Sequence, residues 1–215
     1  MLPQLILPLL LHLSLPHPHV PKAIVMHGAG GQATLTWFTV PFNPEQVKTL
    51  PNGQGWHLGF AMLQVGMPLA CGDVKVPVGN YKLDVQRDEK GEFSTFRLVP
   101  AELLRVTRTR RGQQPDQQKI AEVKKDLAAR GIPEAIDLPA TTFSEGDAEH
   151  LEFAAMTRGY EAAQRGSAEP KGGASFSVFA NFGDMHRRVD LVESFPKNET
   201  DGQGNEKKVE AKKDR

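Results

Sequence analysis

Only one cysteine, Cys71, stands among 215 residues, so the chain can close no intramolecular disulfide and cannot assemble a thiolate zinc site of the usual kind. Set in "PLACGDV" at a strand edge, it reads as a small buried hydrophobe; a nucleophilic role would need a histidine brought close by the fold. Excess charge of either sign is also missing, since Lys+Arg and Asp+Glu are 26 each. With no net field to draw nucleic acid or an anionic membrane, a nucleic-acid role is disfavoured. Catalytic fingerprints are absent too. The chain has no Gly-x-Ser-x-Gly elbow, His-Glu-x-x-His, phosphate loop or dinucleotide fingerprint, and "HGAGGQA" (His27 to Ala33) lies between two strands, where it reads as a turn. The leucine-rich stretch Leu2 to Leu15 is too short and too proline-interrupted to span a membrane, so no integral membrane segment is expected.

What is present is an ordinary globular composition, 39% hydrophobic and 24% charged, enough for one sizeable core. The Leu2 to Leu15 stretch has the length of an export-signal core, although it lacks the basic residues that usually precede one. Residues 1–17 are therefore expected to be a leader, with Pro16, Pro18 and Pro21 forming an extended entry to the first strand. The protein is expected outside the cytoplasm, periplasmic or secreted.

Period-two alternation runs through the rest. "ATLTWFTV" puts Leu35 and Trp37 on one face and Thr34 and Thr36 on the other. "NYKLDVQ" turns Tyr81, Leu83 and Val85 inward. "HLEFAAM" alternates Leu151, Phe153 and Ala155 against His150, Glu152 and Ala154, and "SFSVFANF" alternates Phe176, Val178 and Ala180 against their neighbours. "RRVDLVESF", "WHLGFAMLQV", "LACGDVKV" and "STFRLVP" supply further strands. "DVKVPVGNYKLDV" (Asp73 to Val85) reads as a hairpin whose type I turn is Val76-Pro77-Val78-Gly79. Such a series predicts a mainly β fold: an antiparallel β-sandwich or flattened barrel.

One helix is expected. "PDQQKIAEVKKDLAARGIP" spaces Ile120, Val123, Leu127 and Ala128 helically, with Asp116 as N-cap and Gly131 and Pro133 as stop signals. From Arg97 to Arg130 there are nine basic and four acidic residues, and from Glu134 to Glu161 seven acidic and one basic. Adjacent opposite-sign segments are expected to pair with each other. The organisation predicted is a leader over 1–17, a β-sandwich-like domain over 18–195 with a helical insertion at about 101–143, and a disordered tail over 196–215.

Three segments resemble, in order, a family of exported bacterial proteins known as domain-of-unknown-function family 2911. They are "LPHPHVPKAIVMHGAGGQATLTW", "GQGWHLGFAML" (similar to the family's Trp-Arg-Thr-Gly-Ala-Asn) and "KVPVGNYKL" (similar to its Pro-Ala-Gly-Thr-Tyr-Ser-Leu). The resemblance covers residues 15–99 and implies an exported, mostly β protein with no activity to carry across. His57 stands where the family usually has arginine and Leu58 where it has threonine, which departs from its polar pattern.

Candidate chemistry centres on Trp37, Trp56 and His57 as ligand-binding residues: a tryptophan beside a histidine can stack on and hydrogen-bond a sugar or other planar polar ligand. Strand alternation sets Trp56 and His57 on opposite faces, which works against their joint use. His17 and His19 point the same way in extended chain, and His12 or His27 would complete a metal set; with no carboxylate nearby that set is incomplete. Asp184 and His186 in "GDMHRRVD" form another pair. The expectation is a binding or structural module, not an enzyme, needing no cofactor and meeting an unknown small ligand or protein partner. The alternative is a small hydrolase or metal-dependent enzyme using His57, His150 or His186.

Overall fold

In a computed structural model the described residues are 19–108, 114–143, 146–160 and 173–194; the expected leader (1–17) and tail (196–215) lie outside them. The chain runs β1 (Pro21–His27), β2 (Gln32–Phe38), α1 (Pro44–Lys48), β3 (Gly55–Trp56), β4 (Met62–Val65), β5 (Leu69–Cys71), β6 (Val74–Val76), β7 (Gly79–Arg87), β8 (Phe93–Pro100), α2 (Ala101–Thr107), α3 (Gln117–Ala129), β9 (Ile136–Pro139), β10 (Thr141–Thr142), β11 (Ala148–Tyr160), β12 (Ala174–Gly183) and β13 (Met185–Glu193). One sheet has the order β1-β2-β4-β7-β8-β9, with β3 also against β7; the other has the order β11-β12-β13-β5-β6, with β10 against β13. Every pairing is antiparallel. The fold is mainly β and consistent with a sandwich, not a closed barrel.

The alternation seen in the sequence sets the core. Leu35, Trp37, Tyr81, Leu83 and Val85 of the first sheet are buried, as are Leu151, Phe153, Phe176, Val178 and Leu191 of the second. Trp37 meets Phe153 edge to face at 5.2 Å between centroids. Trp56 meets Phe182 in the same way at 5.3 Å. Each pair joins the two sheets, and such aromatic contacts add about 0.5–1.5 kcal/mol beyond area burial.

Three expectations need correction. Val76 to Gly79 is no hairpin turn: β6 pairs with β5 in the second sheet while β7 belongs to the first. The stretch is a crossover between sheets, and the Tyr81 hydroxyl fastens it by donating to the Pro77 carbonyl at 2.8 Å. The hairpin turn lies instead between Cys71 and Val74, where Gly72 takes φ 56°, a left-handed conformation cheap only for glycine. Next, Trp56 to Val65 is not one strand, because a 3-10 turn over Leu58–Phe60 splits it into β3 and β4. Lastly, α3 has two companions. Asn43 caps α1 by accepting from the Glu45 and Gln46 amides, and α2 follows β8 directly and buries Leu103.

The predicted helix forms as read. Asp116 accepts from the Gln118 and Lys119 amides, and Leu127 is fully buried, whereas Ala128 is exposed. The region expected as an insertion also supplies β9, an edge strand of the first sheet. Opposite charges on the two segments do meet, in Arg97–Asp137 at 2.6 Å and Lys124–Glu134 at 2.7 Å. Arg97 holds the Asp137 carboxyl below the usual carboxylate range.

Candidate functional site at the break in the first sheet

On one side of β7 the ladder is interrupted. β4 pairs with Gly79 to Lys82, β3 pairs with Val85 and Gln86, and the turn Leu58–Phe60 occupies the gap beside Leu83 and Asp84. The break has a local cause. Gly59 and Phe60 both take left-handed φ, 53° and 52°, and a Cβ on Gly59 would stand 2.4 Å from the Phe38 carbonyl oxygen. Only glycine fits the first position; a bulky aromatic at the second is strained, and backbone strain of this kind gathers at functional sites. Phe60 is the one non-glycine residue with positive φ among the described residues. It is also 60% exposed, so burial of its own ring does not account for the strain.

Phe60 faces another exposed ring. Phe38, at the end of β2, is 40% exposed and packs edge to face on Phe60 at 6.4 Å. With His19 and Val40 the two rings line an apolar depression of about 230 Å³. His19 is fixed there through its ring and through the peptide that follows it. Its Nδ1 donates to the Thr39 carbonyl at 2.9 Å, and the following amide, of Val20, donates to Thr39 Oγ1 at 3.0 Å.

His57 meets Phe60 edge to face, ring centroids 5.5 Å apart, without lining the depression, and its Nε2 donates to the Ala61 carbonyl at 3.2 Å. Burial pushes its pKa below the ordinary value, against the raising effects of that hydrogen bond and of Asp84; Lys82 and Arg108 lower it further. Burial thus favours the uncharged imidazole. Asp84 is 5% exposed although it points away from the intersheet core. Lys82 Nζ takes its Oδ2 at 2.6 Å, while Oδ1 is buried without a hydrogen-bond partner among the described residues. Leaving such an oxygen unpaired costs on the order of 1–3 kcal/mol.

The residues singled out in the sequence divide accordingly. Trp37 is 4% exposed, its Nε1 buried without a partner among the described residues. Trp56 is half-buried between Phe93 and Phe182. Both tryptophans belong to the intersheet packing, and of the three residues named for ligand contact His57 alone lies at the break. Phe38 and Phe60 were not singled out. The clue was available for Phe38, since alternation that turns Trp37 inward turns its neighbour outward.

The other histidines stand elsewhere. His150 is on β11, at an isolated bridge to Pro41. His186 is buried on β13, its Nδ1 3.2 Å from Asn181 Oδ1 and its ring against Phe143. His17 and His12 lie outside the described residues. Among the described residues no three of His, Cys, Asp and Glu gather where they could hold a metal ion. Cys71 is buried, and burial pushes its thiol pKa up.

The glycine-rich turn has a partner of its own. The carboxylate of buried Glu193 accepts from the Ala29 amide at 3.0 Å, from the Gly30 amide, and from the Ala174 amide at 3.1 Å. A Cβ on Gly28 would lie 2.7 Å from that carboxylate. These amides hold an internal anion and tie the β1–β2 hairpin to β13. Glu193 could have been found in the sequence because it shares the inward phase of Val189 and Leu191.

No protein-family model, curated protein or solved structure matches this chain.

Proposed function

We propose that the protein is a non-catalytic binding module that takes a small ligand with an apolar face at the ladder break, against Phe38 and Phe60 and beside His19 and His57. The observation that carries this reading is Phe60: an exposed phenylalanine held at positive φ is retained at a cost, and strain of this sort collects at ligand sites. The Phe38–Phe60 pair, with Val40 and the His19 ring, gives a ligand an apolar depression of about 230 Å³. Residues Leu2 to Leu15 and the three segments similar to the exported family support action outside the cytoplasm.

A thermal-shift panel on the full chain tests the binding reading, using neutral saccharides, aromatic carboxylates and aromatic amines. A ligand that binds only the folded state raises the midpoint by mass action. The expected result is a rise for one class that disappears in Phe60→Asn. A panel in which no compound acts through Phe60 overturns the reading.

A further inference from the structure

The sheets finish on four end strands, β1 and β9 in the first and β11 and β6 in the second. An end strand leaves one row of backbone donors and acceptors open to another chain unless something guards it. Three of these strands are guarded. β6 is three residues long and exposes Lys75. β9 is four residues long, exposes Asp137 and ends in Pro139. The first part of β11 is covered, because the Phe42 amide donates to the Glu149 carbonyl at 2.8 Å and the Leu151 amide to the Val40 carbonyl at 2.9 Å. Its later part carries a register shift between Thr157 and Gly159, which distorts the edge.

β1 has none of these protections. Its seven residues pair with β2 in unbroken register. The bonds at its two ends give the direction of its backbone: the Thr39 amide donates to the Val20 carbonyl and the Gly28 amide to the Gly31 carbonyl, both at 2.9 Å. Even-numbered residues therefore face β2, and the N–H and C=O groups of Ala23, Val25 and His27 face outward. Among the described residues no strand pairs with that side. Pro21 is the first residue of the strand and interrupts nothing beyond it. The one charged side chain, Lys22, is held by Glu152 of β11 at 2.6 Å, so it is not free to guard the edge. Ala23 and His27 are exposed and Val25 is 47% exposed, and no carboxylate or ammonium stands among them.

A second copy of the chain supplies the matching strand by symmetry. With two β1 strands antiparallel about Val25, Val25 lies opposite its own counterpart and Ala23 opposite His27, so each outward donor meets an acceptor. Lys22 then falls opposite Gly28, and no like charges are brought together. We infer that the protein forms a two-fold dimer in which β1 pairs with β1 of a second copy, joining the two first sheets into one. The dimer does not depend on a ligand at Phe38 and Phe60.

Sedimentation equilibrium of the full chain at concentrations up to about 1 mM tests this. The expected result is a monomer–dimer equilibrium without larger species, in which raising the concentration slows hydrogen exchange at the Ala23, Val25 and His27 amides. Val25→Lys adds the missing guard and sets two ammonium groups opposite each other, so the dissociation constant should rise at least about tenfold. Val25→Thr keeps a neutral β-branched side chain, and Gln64→Lys puts the same charge on an exposed position of β4; both should stay within about threefold of the parent. A parent that remains monomeric throughout overturns the inference. So does a dimer equally strong in Val25→Lys, as association through Leu2 to Leu15 would be. Should Val25→Lys fail to fold, exchange in the parent decides, and dimerisation that leaves those three amides unchanged overturns the pairing. Growth beyond the dimer overturns the two-fold closure.

Discussion

Two single residues carry pH-dependent stability with opposite signs. Burial pushes the Tyr81 phenol up to about 12, with Glu102 adding to the rise. The unfolded chain ionises this group near pH 10, so its contribution is complete below pH 10 and is lost as the pH climbs towards the folded value. Tyr81→Phe should flatten denaturation midpoints over that window. At neutral pH it should cost about 1 kcal/mol for the bond to Pro77. His57 works at the acid end. Its folded pKa is depressed, so its contribution is present above the unfolded value of about 6.5 and falls away as the pH drops through the folded value. Urea midpoints of the parent should decline over that range, and those of His57→Asn should decline less. An identical decline in the variant would remove His57 as the source.

At the scale of elements, the contact with most leverage is the Glu193 carboxylate that holds the β1–β2 turn. Glu193→Ala would remove the common acceptor of three amides, those of the exposed Ala29 and Gly30 and of the buried Ala174. A charge-assisted hydrogen bond contributes about 1.5–3 kcal/mol, so the variant should lose about 3 kcal/mol or more by urea denaturation. Faster hydrogen exchange should appear first at Ala29 and Gly30. A loss below about 1 kcal/mol would show that the turn holds without its anion.

Strands and α3 were legible in the sequence because alternation, capping and stop signals are local. Tyr81, Leu83 and Val85 face inward, and Asp116 caps α3, as their spacing dictates. The sheet to which each strand belongs was not legible. "KVPVGNY" has good turn residues whether its strands pair with each other or part to opposite sheets, and the Tyr81–Pro77 bond that marks the crossover is tertiary. The break at Leu58–Phe60 was hidden for a related reason. "WHLGFAMLQV" is apolar enough for one strand, and only the close approach of Phe38 to Gly59 requires the left-handed turn. The candidate site was half legible: His57 was singled out from its type, whereas Phe60 is notable only for its backbone angle and exposure.

For the whole molecule, the sandwich separates two tasks. The intersheet layer, with both tryptophans, Tyr81 and the Glu193 tie, holds the sheets together, while the rings at the ladder break are left outside that layer. Substitutions in the first group should therefore move stability, and those in the second should move binding. Phe60→Asn puts the division to the sharpest test. Asparagine tolerates positive φ, so relief of about 1–2 kcal/mol of backbone strain should offset the loss of edge contacts to Phe38 and His57, about 0.5–1.5 kcal/mol. The measurement is a urea titration of the full chain and of Phe60→Asn, each followed by the thermal-shift panel of neutral saccharides, aromatic carboxylates and aromatic amines. The account predicts stability equal to the parent or up to about 1 kcal/mol higher, with the ligand-induced shift gone. A stability loss above about 2 kcal/mol, or an unchanged shift, would contradict it and make Phe60 a packing residue.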